Sequence, residues 1–119
     1  MPVEIINEAD PIVRPLEILK EGSVFKQSRK LHTWKKRWFV ITKSHVLTYE
    51  KEKVYSKPTE VLRWKHIDNV AIDDSVKYKG KATFVLETKD GQAFSFYSEG
   101  NNDEWVSIID IELEIQKEF

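Results

Sequence analysis

From Gly22 onward, apolar and polar positions alternate with the short period of β-strands, and turn-forming residues punctuate the alternation. Aromatic and β-branched residues concentrate in segments 23–27 and 34–42, with a polar loop between them. Lys43, Ser44 and His45 make a tight connection to a third strand at 46–51. Short strands follow at 60–64 and 69–72, beyond a charged stretch containing Pro58. Segments 82–88 and 92–97 flank Lys89-Asp90-Gly91, and Asp-Gly between alternating runs signals a hairpin. The period then changes. Trp105, Ile108, Ile109, Glu112, Leu113 and Gln116 share one helical face, which Val106, Ile111 and Ile115 widen. Asn101 or Asn102 can cap this helix, with Ser98 as a rival, and Asp103 and Glu104 suit its positive end. About seven strands and one helix predict a mainly β fold, a small antiparallel barrel or sandwich that the helix caps at one end.

Residues 1–19 differ from the rest. Pro2, Pro11 and Pro15 interrupt them and their apolar positions keep no period, so they read as an extended or partly ordered lead-in to a domain at 20–119. Pro2 follows Met1 where N-myristoylation requires glycine, so this form of the chain offers no such signal.

The length of 119 residues suits one domain. With no cysteine, disulfide scaffolds, thiolate zinc sites and cysteine nucleophiles are excluded. No apolar run approaches the ~18 residues of a spanning helix, and no signal peptide is present, so a cytoplasmic setting is the default expectation. The net charge of −1 conceals an asymmetry. Segment 20–37 carries seven cations against Glu21 alone, whereas segment 99–119 carries seven carboxylates against Lys117 alone. A compact chain of this kind is an electrical dipole, suited to orientation at a charged surface. His32, His45 and His66 have no metal-ligand spacing, and Asp73-Asp74 reads as one acidic turn without the ligand spacing of a calcium loop. There is no P-loop, nucleophile elbow or dinucleotide fingerprint. The expectation is therefore no metal, no cofactor and no enzymatic activity.

Two stretches are more specific. Gly22-Ser23-Val24-Phe25-Lys26, then Trp34-Lys35-Lys36-Arg37-Trp38-Phe39-Val40-Ile41 after a loop, resemble the first hairpin of the pleckstrin-homology (PH) family. Asp103-Glu104-Trp105 is similar to the start of that family's C-terminal helix, where one Trp is nearly always found. The resemblance spans roughly residues 22 to 118 and implies a seven-stranded, PH-like barrel with Trp105 as the structural plug of the helix-capped end. A fainter similarity is to acylated PH-domain proteins of apicomplexan parasites.

Parity within the hairpin explains such a pattern. If Val24, Phe39 and Ile41 face the core, Lys26, Lys35 and Arg37 follow them toward the barrel mouth. Charges on a core-facing parity are costly unless they meet water or a counter-ion, so three converging cations make an anion site. Arg37 can grip a phosphate with two parallel N–H bonds while Lys26 and Lys35 act as point charges. The resemblance implies that these positions hold lipid headgroups, with Lys36, Arg29 and Lys30 adding to the basic rim. Where headgroup binders commonly have Tyr in the third strand, this chain has Thr48, and Tyr49 lies on the opposite parity. Leu31 sits amid Arg29, Lys30 and His32 and is the candidate for membrane insertion, the alternative being a Leu folded onto its own hairpin.

The expected function is a monomeric membrane-targeting module that binds anionic phospholipid, phosphoinositide or phosphatidic acid, on the cytosolic face of a membrane. The alternative is a protein-interaction module of the same fold, which exposed apolar residues on the helix, Val106 or Ile111, would favour. Nucleic acid is disfavoured as a partner: Trp34-Lys35-Lys36-Arg37-Trp38-Phe39 suits a base-stacking groove, but the acidic helix and near-neutral total charge oppose it.

Overall fold

The computed structural model describes residues 13–28 and 30–118; most of the lead-in, residues 1–12, lies outside them, as do Arg29 and Phe119. Seven antiparallel strands run as β1 (Ile18–Gln27), β2 (Trp34–Thr42), β3 (His45–Tyr49), β4 (Glu60–Arg63), β5 (Ile67–Tyr78), β6 (Lys81–Thr88) and β7 (Ala93–Tyr97). They form one sheet in the order β4-β3-β2-β1-β7-β6-β5, and α1 (Asn102–Gln116) follows. The sheet curls on itself, because Val24, Phe39 and Ile41 from one half share a core with Phe84, Leu86, Phe94 and Phe96 from the other.

The continuous run Trp38-Phe39-Val40-Ile41 is a strand covered on both faces. Phe39 and Ile41 enter the main core, while Val40, Leu47 and Tyr49 form a smaller outer cluster under Val13, Ile18, Trp38 and Tyr55. That outer cluster explains why β1 begins at Ile18, several residues before the pattern of apolar positions suggested.

Strand β5 is also longer than expected, reaching Tyr78 although segment 73–77 is polar. Here β5 and β6 stay paired through a register shift between Asp73 and Lys77, and Tyr78 at the end of β5 stacks on Phe25 and Tyr97. Thr83 Oγ1 donates to the Val76 carbonyl across the irregularity at 2.8 Å, and Asp73 accepts from Ser75 N at 2.8 Å. The expected acidic turn is thus part of a bulged strand. The Asp-Gly hairpin forms at its expected place, with Gly91 at φ +90°, a region that a side chain rarely adopts.

Asn101 is the helix cap, its side chain accepting from Glu104 N at 3.1 Å. Asn102 accepts from Ser98 N at 2.8 Å and donates to the Ala82 carbonyl at 2.9 Å, fastening the helix start to β6 and the end of β7. Trp105, Ile109 and Leu113 complete the core from the helix side, whereas Ile111 and Ile115 are exposed and do not widen the packed stripe. The Trp105 ring lies 4.8 Å from that of Phe39, and a Cβ at position 22 would come within 3.2 Å of the indole. Gly22 therefore lets the backbone of β1 approach the indole closely. At the far end of α1, Gln116 donates to the Lys43 carbonyl at 3.1 Å, tying the helix to the β2–β3 turn.

Trp105→Ala should cost about 3–5 kcal/mol of stability by denaturant titration, the usual penalty for deleting a buried Trp. A loss below about 1 kcal/mol, typical of surface sites, would show that the indole does not close the core there.

Candidate functional site

The hairpin β1–β2 pairs Lys26 directly with Lys35, and Val24 with Arg37. Directly opposed residues of antiparallel strands share a face, so Lys26, Lys35 and Arg37 project on the side that Val24 occupies deeper in the core. Like charges placed opposite each other destabilise a sheet, and this pair is held at the rim by the core packing beneath it. Lys36 pairs with Phe25 on the other face and points away from that cluster. Its carbonyl accepts from Arg37 Nη1 at 3.0 Å.

Lys26, Ser28, Lys30, Lys35, Arg37, Thr59 and Glu60 line one open pocket of about 280 Å³. That volume is below the usual range for whole drug-sized ligands, so it suits a small polar group better than an acyl chain. Lys26 is its anchor: the ammonium lies 5.4 Å above the Phe94 ring and 3.5 Å from a Glu60 carboxylate oxygen. One wall, from β1 and β2, is cationic, and the wall from the start of β4 carries Thr59 and Glu60.

Thr48 is not on the pocket surface. It is 1 % exposed, pairs with Glu60 across β3 and β4, and shares a 2.7 Å hydrogen bond with the Thr59 hydroxyl. The third-strand side chain at this point is too short to emerge, and Thr59 takes the exposed place above it.

The β1–β2 loop is shaped by Ser28. Its amide donates to the Thr33 carbonyl at 2.7 Å, its carbonyl accepts from His32 N at 2.9 Å, and its hydroxyl accepts from Leu31 N at 3.3 Å. His32 takes φ 56° to close the turn, and Leu31 stands 71 % exposed at the tip instead of folding onto its hairpin. Arg29 falls in this loop outside the described residues. Of the cations expected at the rim, Lys26, Lys30, Lys35 and Arg37 meet in the pocket. Trp105 is not among the pocket residues; it lies against Gly22, at the middle of β1.

The sequence pattern gave no warning of Ser28, Thr59 or Glu60. Glu60 opens a predicted strand, but its side chain reaches Lys26 only through the β3–β4 register, which the pattern of apolar positions does not determine. A further contributor is Tyr55, on the long connection into β4. Its hydroxyl donates to Glu21 at 2.6 Å, and the Trp38 indole donates to the same oxygen at 2.8 Å. This three-residue knot pins the connection, and hence the β4 wall, to the outside of the hairpin.

A PH-domain family model matches residues 18–113, and the chain belongs to the PH-domain family. Among solved structures, it is similar to the Slm1 PH domain in complex with phosphoserine, at TM-score 0.71 and 22 % identity, covering 84 % of this chain and 99 % of that one. It is also similar to the C-terminal PH domain of pleckstrin in complex with D-myo-Ins(1,2,3,5,6)P5, at TM-score 0.67 and 19 % identity, covering 81 % and 95 %. The PH domain of human oxysterol binding protein-related protein 11 gives TM-score 0.68 and 18 % identity, covering 83 % and 82 %. At such identities the likeness is one of fold. No helix among the described residues is long and apolar enough to cross a membrane.

Burial and the hydrogen bond to Glu21 push the Tyr55 phenol up to about 12 from an ordinary 10.0. A group whose pKa is raised on folding contributes stability that is complete below its unfolded value and declines as pH rises toward the folded one. Stability should therefore fall between about pH 10 and 12 more steeply in the parent than in Tyr55→Phe, read by denaturant titration across that range. Equal slopes would show that the phenol is not held by Glu21.

Proposed function

We propose that this PH domain is a membrane-attachment module that binds a phosphorylated lipid headgroup in the pocket between the β1–β2 hairpin and β4. The observation that carries this reading is the Lys26–Lys35 cross-strand pair with Arg37 beside it, a like-charged cluster in an open cavity. Such a cluster gains most from an anion that several donors can share. The family is one of binding modules, and similar PH domains have been solved with inositol 4-phosphate, phosphoserine and an inositol pentakisphosphate, all phosphate-bearing ligands. The partner is an anionic phospholipid, phosphoinositide or phosphatidic acid, met by a monomeric domain from the cytosolic side, with neither cofactor nor catalysis.

Leu31 supplies a second contact. Exposed beside Lys30 at a hydrogen-bonded tip, it would enter the acyl region while the headgroup fills the pocket, a burial worth roughly 1.5–3 kcal/mol. Lys36, on the other hairpin face, contributes to general attraction at about 1 kcal/mol, as a basic residue near an anionic leaflet does.

One observation favours an additional protein contact. Ile111 is 57 % exposed and Ile115 is also exposed, one turn apart on α1 and flanked by Asp110, Glu114 and Glu118. Val106 is half-buried and offers less.

Binding to anionic vesicles tests the main reading. Arg37→Ala should cost at least about 2 kcal/mol, and the residual binding should be more salt-sensitive, because exposed charges are screened over about 8 Å at physiological ionic strength. Lys43→Ala, at the far β2–β3 turn, should change little. Equal losses from the two substitutions would mean a diffuse electrostatic surface and no pocket. Leu31→Ala should weaken vesicle binding while leaving affinity for a soluble inositol phosphate unchanged. Equal loss in both assays would make Leu31 a shaper of the pocket.

A further inference from the structure

The pocket contains its own anion. Glu60 lies 3.5 Å from the Lys26 ammonium, and both side chains are largely withdrawn from water, at 15 % and 27 % exposure for Lys26 and Glu60. Screening by solvent and salt is therefore weaker here than for a surface pair. Backbone pairing of Glu60 with Thr48, together with the Thr59 amide bond to the Thr48 carbonyl at 2.7 Å, holds the carboxylate on the β4 wall. The cations Lys35 and Arg37 stand on the hairpin wall.

An entering phosphate must share Lys26 with this carboxylate. A single phosphate can lie against the hairpin wall, away from Glu60. A ring bearing further phosphates would have to bring negative charge toward the β4 wall, where Glu60 repels it. The carboxylate can instead accept a hydrogen bond from a hydroxyl on that side.

We infer that Glu60 is a built-in counter-ion that sets the ligand class of the pocket, admitting headgroups with one phosphomonoester and discriminating against polyphosphorylated ones. This inference rests on the headgroup reading of the same pocket. It adds that removing a negative charge should change selectivity, beyond raising affinity. A unit charge at about 6 Å in a partly solvated medium alters affinity by about tenfold, and a multiply phosphorylated ring presents more than one such charge.

The test uses phosphatidylcholine vesicles matched in surface charge and carrying phosphatidic acid, a phosphatidylinositol monophosphate or a phosphatidylinositol trisphosphate. Soluble inositol phosphates of one and of three phosphates serve as membrane-free arms. The parent should favour the single-phosphate probes, the two lipid arms showing whether a glycerol or an inositol carries that phosphate. Glu60→Gln should strengthen trisphosphate binding by about tenfold or more and single-phosphate binding by about twofold, collapsing the preference. Glu60→Asp, which keeps the charge, should retain it. Glu87→Gln removes an equal charge from the exposed surface of β6 and should leave the ratio unchanged. If Glu60→Gln strengthens every arm by the same factor, or none, the inference is overturned while the pocket stands. If the parent binds no arm, or Arg37→Ala leaves all arms unaltered, the headgroup reading itself fails and the inference with it.

Discussion

The structure depends on the Trp105 indole lying against Gly22 and Phe39. Strand β1 pairs with β7 only at Phe25–Tyr97 and Lys26–Phe96, while its pairing with β2 continues to Ile18. The two halves of the sheet therefore splay apart below this short junction, and the indole occupies the opening, with the Lys20 ammonium 4.7 Å from its ring and bonded to Glu104 at 2.7 Å. A side chain at position 22 would crowd that ring. The Gly in the middle of β1 and the Trp at the start of α1, some eighty residues apart in sequence, are thus two sides of one contact. By seating β1 against the helix, this contact also fixes the direction in which the strand carries Lys26 to the other end.

Strand β2 shows how one element serves both ends. Its C-terminal half is sandwiched between the main core and the outer cluster, which leaves no freedom in register, because a slip of one residue would turn Phe39 and Ile41 out of the core. Its N-terminal half carries Lys35, Lys36 and Arg37 beyond that packing. Repulsion between Lys26 and Lys35 is tolerated because the energy that sets their register is spent several residues away. A flexible loop holding the same cations would let them separate, and the pocket would lose its concentrated positive charge.

Much of this could be read from the chain because the signals were local. Two-residue alternation marked the strands, Asp90-Gly91 marked a hairpin, and the change of period after Asn101 marked the helix. The convergence of Lys26, Lys35 and Arg37 followed from parity within one hairpin. Features set by non-local pairing were harder to see. The polar end of β5 is a strand because β6 pairs with it, although its own residues look like a turn. Thr48 was expected at the pocket from its distance along the chain to Arg37, yet its hydroxyl is enclosed by Thr59. Glu60 looked like the charged margin of a strand, and only the β3–β4 register brings it to Lys26.

Apart from Lys20, which pairs with Glu104, the separation of charge along the chain becomes a separation in space for the same structural reasons. The cationic pocket and the Leu31 loop stand at the start of β2. The Gln116 bond to the Lys43 carbonyl places the C-terminal end of α1 at the other end of that strand. Asp110, Glu114 and Glu118 line the exposed side of this helix, whose C-terminus also carries the negative end of its backbone dipole. Near an anionic surface the two ends experience opposite forces, so approach with the hairpin leading is favoured before any specific contact forms. Net charge near zero does not diminish this torque, which depends on how charge is distributed. On the proposed reading, the acidic helix therefore contributes to orientation at a membrane without touching the lipid. Its repulsion from such a surface would turn the pocket and Leu31 toward it and leave the exposed Ile111 and Ile115 on the helix, away from the hairpin.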